Sequence, residues 1–159
     1  MENPAVALPD MAKMKGMTFD NLPSDWPTRS LTDTTIARDV VDLVVRDADR
    51  DSGCISLLLC GEGERLLQPV TVGDLDDEPH LRHRELFDKF LGSFGDMLSG
   101  LVVAVGRPSG LQPDDEARAW HEAAIAACRE HDVPLLGTYL ATVHGVVEMP
   151  VWEELRAAG

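Results

Sequence analysis

The side chains able to do chemistry are few in this chain and widely spread. His80 and His83 stand three apart at the start of an expected helix, so they can share a face and begin a metal site. Two ligands do not complete one. The sequence places no third beside them, and a solvated helix start accounts for both. His121 and His131 fall on one helix nearly three turns apart and cannot hold the same ion. Asp114, Asp115 and Glu116 can act as catalytic carboxylates. Acidic residues at a helix start are explained more simply by the positive end of the helix dipole. Ser109 beside Gly110 has the setting of a nucleophile, but no base stands near it, and a turn serine is the plainer reading. Cys60 ends an apolar run before a glycine turn, where a buried structural thiol is expected. The cysteines Cys54, Cys60 and Cys128 are odd in number and form no C-x-x-C pair, so neither a disulfide framework nor a zinc knuckle is indicated. Dinucleotide, phosphate-loop, zinc-protease and serine-hydrolase motifs are all missing.

The elements that must position these residues centre on Leu101 to Glu148. Leu101–Val105 is a short apolar run of strand type, broken by Arg107-Pro108-Ser109-Gly110. Pro113 and the acids after it start a helix. Its face carries Ala117, Trp120, Ala124, Ile125 and Cys128. A strand over Val133–Leu140 follows, then a turn at His144-Gly145 and a return strand over Val146–Glu148. Upstream, Ile36, Val40, Leu43, Val44 and Val45 predict one helix over Asp33–Asp49, capped by Thr32 or Asp33. Cys54–Cys60 is apolar on both faces, as in a central covered strand. Gly61–Glu64 turns it into a second strand over Arg65–Val72, where Pro69 demands an edge or a bulge. An acidic loop over Gly73–Pro79 leads to a helix over His80–Leu98, rich in phenylalanine. Pro150–Gly159 reads as a terminal helix anchored by Trp152. The alternation implies an α/β fold with a mixed sheet and helices on both faces.

Residues 1–30 are punctuated by prolines and read as an N-terminal arm, partly disordered, with Trp26 holding it onto a single domain over 31–159. At 159 residues and 44% apolar composition, one globular core is expected. The formal net charge of -14 excludes the basic footprint that nucleic acid or an anionic membrane needs. No apolar run reaches the length of a membrane span and no signal peptide is visible, so the expected location is cytoplasmic.

The Arg107-Pro108-Ser109-Gly110 segment resembles the JAB/MPN metalloprotease-like domain, in its RadC-like branch. There the third core strand ends in His-x-His-Pro-Ser-Gly and the next helix carries an aspartate. CISLLLCGEGERLLQPVTVGDL resembles that branch's opening hairpin, LFDKFLGSFGDMLSGLVVAVG its helix and strand leading into the motif, and EHDVPLLGTYLATVHGVVEM its closing strands. The resemblance covers about residues 53–149. It implies a three-layer α/β/α fold with a mixed sheet, of the kind shared with cytidine deaminases.

Active members hold a zinc ion with two histidines and an aspartate, and a glutamate of the hairpin serves as base. The matching positions here are Val105, Arg107, a position at or near Arg118, and one near Gln68. Valine cannot ligate, and arginine is permanently charged with no lone pair to give. The resemblance therefore implies a fold whose metal site has been lost, with no cofactor, and a protein partner or a second copy as the expected ligand. The apolar helix around Phe87, Phe90 and Phe94 is the expected docking face. Two alternatives stand beside this. Arg107, Ser109, Gly110, Arg118 and Gln68 can line a cleft that takes an anion at the helix start. A relocated zinc site can use His80, His83 or His144.

Overall fold

The computed structural model describes residues 22–73, 83–110, 112 and 114–150. Helix α1 spans Thr34–Val44; the Asp33 carboxylate caps it by accepting from the backbone N–H groups of Thr35 and Ile36. A short α2 follows at Asp47–Ser52. Five strands, β1 (Cys54–Cys60), β2 (Leu66–Val72), β3 (Gly100–Gly106), β4 (Leu135–Thr142) and β5 (Gly145–Glu148), form one sheet in the order β2-β1-β3-β4-β5. Helix α3 (His83–Phe94) joins β2 to β3, and α4 (Asp115–His131) joins β3 to β4. Only β3 and β4 run parallel; the other neighbours are antiparallel, so the sheet is mixed.

The strand alternation sends side chains to two separate cores. Leu101, Val103 and Val105 of β3 join Leu86, Phe87 and Leu91 of α3 and Ala117, Trp120, Ala124 and Cys128 of α4. Val102 and Ala104 point the other way, to Ile36, Ala37, Val40 and Val41 of α1. Trp26, in a single 3-10 turn over Trp26–Thr28, packs on this second core with Leu22. On the edge strand β2, Pro69 lies opposite Leu58, and the register slips between Leu59 and Cys60, so Leu67 has no partner. The edge position is what proline's missing donor requires.

Several boundaries differ from the sequence expectation, each for a local reason. The strand expected from Val133 begins at Leu135, because Asp132 takes a left-handed conformation (φ 60°) and the Val133 N–H still bonds back to Cys128. The helix expected to reach Leu98 ends at Phe94 and tightens into a 3-10 turn over Gly95–Met97. The phenylalanine face is mostly core: Phe87 is buried, Phe90 packs on the same cluster, and Phe94 alone of the three is exposed. Ile125, expected on the buried face of α4, lies half-buried on its flank. All but Pro150 of the terminal helix expected over 150–159, with its Trp152, and also His80 and the arm over residues 1–21, lie outside the described residues.

The largest departure is the helix expected over Asp33–Asp49. The chain is extended at Val45 and Arg46 and restarts at Asp47. The break lets Arg50 fold back into the interior at 2% exposure. Its Nε donates to the Val45 carbonyl (2.9 Å), Nη2 to the Asp42 carbonyl and to Asp42 Oδ1 (3.1 and 2.9 Å), and Nη1 to the Thr142 carbonyl at the end of β4 (2.8 Å). Arg50→Ala is expected to lower stability by about 3–5 kcal/mol, since it strands a buried Asp42 charge. Adding Asp42→Ala should recover part of that loss; urea denaturation of the two single variants and the double variant measures it, and strictly additive losses would refute the coupling.

Candidate functional site

β3 delivers the Arg107–Gly110 loop to its carboxyl end, beside the β4–β5 turn. The Arg107 N–H donates to the Ala141 carbonyl (2.9 Å), and the Val143 N–H to that of Pro108 (3.4 Å). Gly110 holds a φ of 92°, which favours glycine, with open space where a side chain would stand. Ser109 and Gly110 are exposed. α4 then starts at an Asp114 cap whose Oδ1 accepts from the Ala117 N–H (2.9 Å). The other carboxylate oxygen pairs with Arg107 Nη1. Partial burial works against ionisation of Asp114, but the Arg107 guanidinium and the Ala117 N–H outweigh it and hold the carboxyl below the usual range. Arg118 Nη1 pairs with Asp115 Oδ1 at 3.0 Å, an exposed contact one helical turn apart.

The five residues expected to line one cleft are only partly brought together. Arg107, Ser109 and Gly110 share the loop. Arg118 sits on the first turn of α4, engaged with Asp115. Gln68 is elsewhere: it pairs with Leu59, which pairs with Leu101 at the far end of β3. Arg107 lies six residue steps along the chain from Leu101, about 20 Å at the usual rise. Sequence matching placed Gln68 in the hairpin, but the register, which it did not supply, puts that part of the edge strand at the opposite end of the sheet.

Val105 is in the core, 1% exposed, between Ile55 of β1 and Leu140 of β4. No group of three histidine, cysteine, aspartate or glutamate side chains capable of holding a metal occurs among the described residues. His83 Nε2 contacts Glu116 Oε2 at 2.9 Å, and its ring packs edge-on against Trp120 with centroids 4.4 Å apart. His131 Nε2 contacts Asp88 Oδ1 at 3.1 Å; Arg84 bridges Asp88 and Glu130. These are polar links between α3 and α4. His144 is exposed on the β4–β5 turn. The three thiols are buried, and burial pushes them up, Cys54 to about 11 and Cys60 and Cys128 to about 12, so they stay protonated near neutrality and are poor nucleophiles.

Two features were missed in the sequence. The Arg50–Asp42 pair reads as ordinary helix-surface charge. His121 is buried at 3% exposure, with Nε2 on the Pro150 carbonyl at 2.9 Å and Nδ1 without a partner. Its spacing with Ile125, Cys128 and Asp132 marks a stripe along the flank of α4, adjoining the core stripe, and that spacing was the available clue.

No protein-family model matches this chain, and neither does any curated protein or solved structure.

Asp114→Ala removes a helix cap and the Arg107 partner together, and should cost about 1 kcal/mol at neutral pH. Because the folded carboxyl titrates below its unfolded value, its contribution is complete above that value and is lost as pH falls through the folded one. Thermal unfolding of both proteins should therefore converge on acidification below about pH 4; a gap that widens instead would show that Asp114 is not stabilised as a carboxylate.

Proposed function

We propose that this chain is a non-catalytic binding domain of JAB type, three-layered, whose metal site has been lost and whose ligand is a protein. The observation that carries this is the carboxyl end of β3. Of the two positions that carry the zinc-binding histidines in the active family, one is Val105, inside the core, and the other is Arg107, paired with Asp114. The residues there do not fit a metal: they offer no lone pair and add a positive charge. The same pairing weighs against an anion-binding cleft, since an anion must displace the Asp114 carboxylate from Arg107 and the Asp115 carboxylate from Arg118. A relocated zinc at His83 or His144 is disfavoured because His83 is committed to Glu116 and Trp120, and the two offer no third ligand.

A partner surface is available at the other end of the sheet. Leu67, Phe94 and Met97 are 60%, 40% and 67% exposed. Ser99, two residues past Met97, donates its N–H to the Cys60 carbonyl, and Leu67 closes over Gly61 beside it. Leu67 and Met97 therefore lie near the β1–β2 hairpin, with Phe94 at the preceding helix end. Apolar side chains grouped in this way mark a protein contact. The net charge of -14 disfavours nucleic acid.

Restoring the family's ligands tests the reading. Wild-type protein incubated with zinc and desalted should carry none by elemental analysis. The variant Val105→His, Arg107→His, Arg118→Asp should hold about one zinc per chain, as expected for a three-ligand site. Circular dichroism checks that it remains folded. A folded variant that takes up no zinc would sink the JAB-type reading. A photo-crosslinking residue at Met97 should trap one discrete protein, or a second copy, that the same residue at Arg65 does not.

A further inference from the structure

A groove of about 400 Å3 runs between the flank of α4 and the first half of β4. Ile125 and Cys128 of the helix line one side; Val133, Leu135 and Leu136 line the other. β5 pairs only with residues 139–142, so no strand partners residues 135–137 on that side among the described residues. An apolar surface is thus left beside the start of β4. Its volume is in the range of pockets that hold whole small molecules, so an indole ring fits with room to spare.

The chain itself runs to this groove. β5 is antiparallel to β4 and therefore travels toward the start of β4. The Met149 N–H still donates to the Thr138 carbonyl (2.8 Å), one step beyond the Tyr139–Glu148 pair. The Pro150 carbonyl then accepts from His121 Nε2 at 2.9 Å. His121 and Glu148 both belong to the groove lining, so the chain is tied to the groove at the point where residues 151–159 follow. In those residues Val151, Trp152, Leu155 and Ala158 recur at spacings of three and four, which makes one apolar stripe of the helix expected there. Trp152 comes two residues after Pro150, about 7 Å of extended chain at most, so it stays within reach of the groove. A tether this short gives it a high effective concentration at that surface. The groove is lined by Arg129, Asp132 and Glu148 as well, and the segment brings Glu153, Glu154 and Arg156, charges of both signs to a lining that has both.

We propose that residues 151–155 of the same chain dock in this groove and seat Trp152 and Leu155 against Ile125, Val133 and Leu135. The segment closes the side of the α4 core that β5 leaves uncovered. This contact is independent of the β3 loop and of the exposed side chains Leu67, Phe94 and Met97.

Ile125→Cys, on the half-buried side of the groove, reports whether the surface is covered. Its alkylation by iodoacetamide in the full chain, followed by peptide mass spectrometry, should be slow. It should accelerate about ten-fold or more when Trp152→Ala and Leu155→Ala are added, since a covered thiol reacts only when its cover opens. Cys54 and Cys60, in the core on the other face of the sheet, should stay unreacted and so exclude general unfolding. An unchanged rate at position 125 would overturn the proposal. If Cys54 and Cys60 accelerate too, a photo-crosslinking residue at Leu155, with Trp152 intact, decides. It should attach to residues 121–137 of its own chain. Attachment elsewhere would overturn the proposal, and attachment only between two chains would overturn it in favour of exchange between copies.

Discussion

Arg50 carries a guanidinium charge, and at 2% exposure it has almost no water around it. Everything its guanidinium needs must come from the protein. It finds two carbonyls and a carboxylate at the end of α1, and a third carbonyl at the end of β4. The Val45 carbonyl accepts from Arg50 where the helix breaks. The gain over a hydrophobic core is small, because desolvating two ions costs about what their attraction returns. What the pair supplies is position. One element can meet all four acceptors only if α1 ends where it does and β4 ends beside it.

That constraint reaches the loop after β3. Gly106 sits so close to Cys54, Val45 and Arg50 that a side chain there would meet Cys54 Sγ at 2.4 Å. Arg107 then bonds back to Ala141, one residue before the Thr142 carbonyl that Arg50 holds. The loop is thus fastened from behind by a buried charge and in front by the Arg107–Asp114 pair. With Val105 turned into the core, this end of β3 is a structural junction. Among the exposed apolar side chains, Leu67 and Met97 lie toward the opposite end, while Val143 stands beside this loop on the β4–β5 turn.

The strand cores were legible because their signal is local. Cys54–Cys60 and Leu101–Val105 are apolar on both faces, and central strands covered by helices need that. Pro69 announced an edge, since proline cannot serve a central ladder. Asp114 and its neighbours announced the start of α4 through dipole and cap. The pairing of Arg107 and Arg118 with nearby acids was equally readable, being set by loop and helix spacing. Gln68 shows the limit. Its place in the hairpin was correct, but whether a strand residue reaches the end of a distant strand depends on register and bulges, and a slip at Leu59 and Cys60 is invisible in the residues alone.

The sequence by itself determined the two central apolar strands, the edge placement of the strand with Pro69 and the start of α4, and that valine and arginine at positions 105 and 107 cannot ligate a metal. These follow from side-chain chemistry and short-range periodicity. Only the tertiary structure decided that the first helix breaks at Val45, that Arg50 is core rather than surface, and that His121 ends with one nitrogen satisfied and one not. In each case the deciding partner lies far along the chain, at Thr142 for Arg50 and at Pro150 for His121. Burial and hydrogen-bond satisfaction are properties of the assembled fold, so no window of neighbouring residues contains them.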